Sequence, residues 1–88
     1  MDTWSVYMVR CADGSLYTGI ARDVVRRVAE HNSNNELAAN YTRCRRPVVL
    51  VYQEKQDTRS AASKREHAIK QMGRKEKVAL VASASAKL

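Results

Sequence analysis

The chain has 88 residues, with 16 Lys and Arg against 9 Asp and Glu for a formal net charge of +7; that length allows one small domain with one core and excludes a second domain. The charge suits a polyanionic partner, nucleic acid ahead of an anionic membrane, because no stretch approaches the ~20 apolar residues of a membrane span and no signal segment opens the chain. Cys11 and Cys44 make no disulfide framework, and with His31 and His67 they show no chelating spacing, so reduced thiols, no structural zinc and a cytoplasmic location are expected.

In chain order, residues 4–10 (Trp-Ser-Val-Tyr-Met-Val-Arg) and 15–20 (Ser-Leu-Tyr-Thr-Gly-Ile) read as two strands around Asp13-Gly14. A three-residue loop, with Gly14 left-handed after a turn at Ala12 and Asp13, sets Val9 opposite Tyr17 and Tyr7 opposite Gly19. Tyr7 and Tyr17 then share one face. Asp23 is an N-cap for a helix to about Asn32, with Val24, Val25 and Val28 as its apolar stripe and Arg27 and His31 one turn apart on another face. Residues 36–46 form a loop with a short helical turn near Leu37, ending in the basic run Arg43-Cys44-Arg45-Arg46. Pro47 introduces a third strand, Val48–Tyr52. Asp57, Thr58 or Ser60 caps a helix over about 59–72 that Gly73 ends, and a last helix covers about Lys75–Ala82. The order β-β-α-β-α-α predicts an α+β fold, a small three-stranded antiparallel sheet flanked by helices. Residues 1–82 form the single domain and 83–88 a flexible tail.

One residue of the 59–72 helix breaks its amphipathic pattern. Ala62, Ile69 and Gly73 form a stripe with Met72 at its edge, and Glu66 falls among them. A carboxylate there is either at the rim, paired with Lys70 at i+4, or held for a function, since burying an unpaired charge is costly. Tyr7, Tyr17, Arg27 and His31 each have an ordinary structural account: strand tyrosines pack, helix arginines and histidines meet solvent, and Arg27 pairs with Asp23. Together, phenols, guanidinium, imidazole and carboxylate are the groups phosphodiester hydrolysis needs.

Val6-Tyr7 followed by Tyr17-Thr18-Gly19 resembles the paired signature of the GIY-YIG nuclease superfamily. The stretch Asp23-Val24-Val25-Arg26-Arg27-Val28-Ala29-Glu30-His31 is similar to the helix carrying that family's catalytic arginine, and Arg65-Glu66-His67-Ala68-Ile69-Lys70 to the segment carrying its metal-binding glutamate. The resemblance runs over roughly residues 4–80, and is to the small stand-alone members. It implies that Glu66 holds one Mg²⁺ or Mn²⁺, and that Tyr17, with Tyr7 beside it, is the leading general base or water-orienting group. It also implies that Arg27 stabilises charge on the phosphate, and that His31 assists proton transfer or holds a phosphate oxygen. The chain departs from the signature at Ser5, Val6 and Ile20.

The resemblance implies a metal-dependent endonuclease acting on nucleic acid, DNA in particular, and since no module of base-reading geometry is visible, recognition of structure or flexibility rather than a long sequence is expected. Arg26, Arg43, Arg45, Arg46 and Lys70 are the expected phosphate contacts. The alternatives are a weak or inert nucleic-acid binding module of the same fold, and an adaptor with a protein partner.

Overall fold

The computed structural model of the chain describes residues 3–86. Trp4–Arg10 (β1) and Leu16–Ala21 (β2) form an antiparallel hairpin with Val9 opposite Tyr17 and Tyr7 opposite Gly19. Its turn has the expected chemistry: Gly14 sits at φ +85°, and the Asp13 carboxylate accepts from both Ser15 N (3.0 Å) and Ser15 Oγ (2.5 Å). Val49–Gln56 (β3) pairs antiparallel with the other edge of β1, giving the order β2-β1-β3. This strand runs four residues beyond the expected Tyr52. Its far half, Gln53–Gln56, is polar, and backbone pairing to Trp4–Tyr7 rather than an apolar run extends it. The ladder slips between Met8 and Val9, where β1 passes from Tyr52 to Leu50 and Val51 is the extra residue.

Helices cover both faces of the sheet. Val24–Ser33 (α1) starts at Asp23, whose carboxylate accepts from Arg26 N at 3.1 Å. The helical turn expected near Leu37 is present, closed by Ala38 N donating to the Asn34 carbonyl at 2.9 Å, and the short Asn40–Arg43 (α2) follows it. The Asn34 side chain caps that turn, accepting from Glu36 N and Leu37 N. Arg59–Lys70 (α3) is capped by Thr58, which accepts from Ala61 N at 3.0 Å. Gly73 is not left-handed and does not end this helix; its carbonyl accepts from Lys77 N and opens Arg74–Ala86 (α4). That helix passes the expected end at Ala82, through small residues that favour helix, and residues 87–88 lie outside the described residues.

Because β1 is central and covered on both sides, Val6, Tyr7, Met8 and Val9 are all buried, and its alternation divides the expected single core into two. Tyr7, Val9, Cys11 and Ala21 pack with Val24 and Val48 on the α1 side. Val6 and Met8 pack with Ala62 and Ile69 of α3 on the other, backed by Leu80 and Val81. The expected stripe of α1 is corrected in one respect. Val24 is buried and Val28 packs against it, but Val25 is 79% exposed; the third member of the buried face is His31, which stands seven residues after Val24 and three after Val28.

Candidate active site

The α1-facing side of the hairpin holds a buried polar chain. Tyr7 Oη lies 2.7 Å from His31 Nε2, and His31 Nδ1 lies 2.9 Å from Thr42 Oγ1. Thr42 in turn donates to the carbonyl of Ala39 at 3.0 Å. Tyr7, His31 and Thr42 are each at most 1% exposed. The His31 backbone is held as well, since Arg46 Nε donates to its carbonyl at 2.6 Å. A surface histidine was the ordinary expectation for a helix position next to Arg27, and the structure corrects it.

Gly19 makes room for Tyr7. A Cβ built there would stand 2.6 Å from Tyr7 Oη, so the phenol crosses β2 where that strand has no side chain. It thereby faces Tyr17, Arg27 and Glu66, whose charges all act on it. Burial pushes the Tyr7 phenol up to about 12, with Tyr17 and Glu66 adding and Arg27 opposing. Burial also pushes the His31 imidazole down to about 4, assisted by the cations Arg27 and Arg46 and opposed by Glu30. Near neutral pH the pair is therefore a protonated phenol against a neutral imidazole. Tyr17 packs edge-on to His31, with ring centroids 5.4 Å apart, and its other neighbours are Tyr41 at 5.8 Å and Lys70 Nζ at 5.9 Å.

Arg27 does not pair with Asp23, which is occupied as the α1 cap. Its Nη1 donates to Glu30 Oε1 at 3.1 Å and to the Leu37 carbonyl at 2.6 Å. Burial works against its charge, but Glu30 and the Tyr7 oxygen outweigh that and hold the guanidinium protonated. Glu66, on α3, reaches the same region from the opposite side of the sheet. Its neighbours on the helix stripe, Ala62 and Ile69, are fully buried, and its carboxylate pairs with Lys70 Nζ at 3.5 Å. Among the described residues no group of three His, Cys, Asp or Glu side chains could hold a metal ion. A lone carboxylate is a donor set that fits a hard cation keeping most of its waters, Mg²⁺ or Mn²⁺, and not a zinc cage.

The expected phosphate contacts divide into two sets. Arg45 is partly exposed but engaged within the chain: it donates to Asp13 and to the Tyr41 carbonyl, and lies 4.1 Å from the Tyr41 ring. Arg46 is held by the His31 carbonyl and Asn35. Arg26 and Lys70 stand further out, each in an i, i+4 pair, with Glu30 at 3.3 Å and Glu66 at 3.5 Å, and Arg43 is exposed. Thr42, Tyr41 and Glu30 belong to the site but carry no signal of their own in the sequence. His31 did have one, its place in the Val24 and Val28 register.

The chain matches the family model of the GIY-YIG catalytic domain over residues 3–79. It is 58% identical over 78 residues to a UPF0213 protein of Desulfotalea psychrophila, covering 89% of this chain and 70% of that one. With a UPF0213 protein of Staphylococcus saprophyticus it shares 52% identity over 81 residues, 92% of this chain and 96% of that one. Among solved structures, the solution structure of an E. faecalis protein superposes with a TM-score of 0.65 at 36% identity, covering 98% of this chain and 90% of that one. The UPF0213 protein of Bacillus halodurans superposes with a TM-score of 0.58 at the same identity, over 91% of this chain and 83% of that one. The sheet order and the match across nearly the whole chain place this protein in the GIY-YIG family, with its nuclease-type fold.

Proposed function

We propose that the chain is a metal-dependent endonuclease that hydrolyses phosphodiester bonds in DNA, choosing sites by structure or flexibility rather than by a long sequence. The observation that carries this reading is the buried Tyr7–His31 contact at 2.7 Å, a protonated phenol against a neutral imidazole, with the charges of Arg27 and Glu66 acting on the phenol. A phenol alone is too weak a base near pH 7, with an ordinary pKa of about 10. A neutral imidazole behind it gives the phenol's proton a place to go, at a cost, since burial pushes His31 down to about 4. As the oxygen of water bonds to phosphorus, its proton passes to Tyr7 Oη while the Tyr7 proton passes to His31 Nε2. The bond from phosphorus to the leaving sugar oxygen breaks, that oxygen takes a proton from solvent, and the proton on His31 Nε2 returns to Tyr7 Oη as that phenol releases one to solvent. Tyr7 is in this reading the base, and Tyr17 the wall that holds the imidazole edge. Arg27 meets the charge that builds on the phosphate oxygens. Glu66 would hold one Mg²⁺ or Mn²⁺, which supplies charge neutralisation at the phosphate. Arg26, Arg43 and Lys70 supply phosphate affinity. Reduced Cys11 and Cys44 support a cytoplasmic setting.

The test is incubation of purified protein with labelled duplex, single-stranded, flap and branched DNA, and with RNA, in Mg²⁺ or Mn²⁺, beside Glu66→Ala and Arg27→Ala. Cleavage by the parent alone is expected; cleavage by all three proteins would expose a contaminant. A second reading, a binding module that does not cut, is favoured by one observation. Arg27 and Glu66 already have internal partners, Glu30 with the Leu37 carbonyl and Lys70. Salt-sensitive binding without cleavage in any metal would select it.

A further inference from the structure

We infer that Thr42 is a positioning residue: by accepting the Nδ1 proton of His31 it fixes the ring tautomer that leaves Nε2 bare to take the Tyr7 proton. The inference rests on the nuclease reading above and adds to it a residue outside both signature stretches. Three hydrogens must be placed, those of Tyr7 Oη, the imidazole and Thr42 Oγ1. If Thr42 donates to Ala39 O at 3.0 Å, its oxygen is free to accept from Nδ1 at 2.9 Å, and Nε2 accepts from Tyr7 at 2.7 Å. Every hydrogen then has an acceptor. In the opposite arrangement Thr42 donates to Nδ1 and Nε2 donates to Tyr7. The Tyr7 oxygen, toward which the Arg27 guanidinium is also directed, would then accept twice, and its own hydrogen would have no other acceptor among the described residues. In the resting fold His31 and Thr42 are fully buried and Tyr7 is 1% exposed, so none of the three leaves a hydrogen to bulk water, and a water meets Tyr7 Oη only beside a bound phosphate.

The anchor of this chain is backbone. Ala39 precedes α2 and its carbonyl also accepts from Thr42 N and Arg43 N, so the hydroxyl is aimed by the first turn of α2. The groups facing His31 are Tyr7 from β1, Tyr17 from β2, Arg27 and Glu30 from its own helix, and Arg46 from the α2–β3 connection. None of them offers Nδ1 an alternative hydrogen-bond acceptor. Thr42 is therefore the group that selects the tautomer, and α2 is the element that brings it there.

The experiment uses the full chain and two variants, Thr42→Val, which keeps the shape and loses the hydroxyl, and Thr42→Ser, which keeps the hydroxyl. Ring ¹⁵N shifts of His31 read the tautomer, and cleavage of a labelled DNA substrate in Mn²⁺ reads turnover. The parent and Thr42→Ser are expected to hold the Nδ1 proton. Thr42→Val is expected to mix tautomers and to lose kcat by roughly tenfold, the scale of one buried hydrogen bond left unmade, with KM unchanged. A parent ring protonated at Nε2, or a Thr42→Val protein with a mixed ring and full turnover, overturns the inference. A parent that holds the Nδ1 proton but cuts nothing refutes the nuclease reading instead, so the two failures are distinguishable.

Discussion

Replacing Gly19 by alanine should damage the protein through a single contact. Gly19 is not at positive φ, so its backbone accepts alanine without strain. The added Cβ, however, would stand 2.6 Å from Tyr7 Oη, 2.8 Å from Cζ and 3.0 Å from Cε1, so the ring must withdraw by about 0.8 Å to regain ordinary contact. It is 1% exposed and bonded to His31, and has nowhere to withdraw without disturbing that bond. Overpacking costs about 1 to 3 kcal/mol and the weakened hydrogen bond about 1 kcal/mol. The lost freedom of glycine in the unfolded chain returns about 0.4 to 1 kcal/mol. The expected net destabilisation is about 1 to 3 kcal/mol, which lowers Tm by ~5 to 20 °C in a domain of this size. Urea and thermal melts followed by circular dichroism measure it, and turnover should fall with it. The control is Tyr7→Phe, which removes the nearest atom: in that background Gly19→Ala should cost about 1 kcal/mol less, a coupling readable from a double-mutant cycle. A Gly19→Ala protein as stable and as active as the parent, or a cycle with no coupling, would refute the placement of the ring over that glycine.

Three further outcomes follow from the charges around the site. His31 is neutral in the fold down to about pH 4 but protonates near its ordinary 6.5 when unfolded; the unfolded chain thus binds more protons in between, and stability should fall as pH drops through that window, by about 3 kcal/mol. Melts from pH 7 to pH 4 should show this loss in the parent and not in His31→Gln. Arg26→Ala, Arg43→Ala and Lys70→Ala should each flatten the dependence of log Kd on log salt by about 0.9 without altering the fold. Arg46→Ala should instead lower stability by about 1 to 3 kcal/mol, because it strips the His31 carbonyl and Asn35 of a donor; equal stability and a flatter salt slope would show that Arg46 meets nucleic acid instead.

The hairpin was legible because its register follows from local rules: Asp13-Gly14 sets the loop, and the loop sets which residues face which. Glu66 was legible as a charge in an apolar stripe. Two features were not. Gln53–Gln56 lack the apolar signature of a strand and join β3 because β1 offers them a free edge, which is a tertiary fact. Thr42 lies in a connection with no periodicity, and nothing in a threonine shows that a histidine eleven residues earlier will turn inward to meet it. Arg45 and Arg46 look like phosphate ligands in sequence for the same reason: Asp13 and Asn35, which occupy them, become neighbours only on folding. His31 is the intermediate case, for its register with Val24 and Val28 was present and its chemical type argued against it.

The start of β3 is fixed in an unusual way. The Asn32 side chain donates to the Val48 carbonyl at 3.0 Å and accepts from Val48 N at 2.7 Å, so an amide at the end of α1 imitates a neighbouring strand. Residues 33–47 are thus a loop buttoned at its base, and the alignment of β3 does not depend on how long that loop is. Length can change around Glu36 and Leu37, ahead of α2, while the sheet stays in register, though the Leu37 carbonyl that accepts from Arg27 then moves. Between Ala39 and Arg46 it cannot, because there the loop reaches back under the button to hold the histidine. One connection therefore contains a stretch open to insertion and a stretch closed to it, side by side.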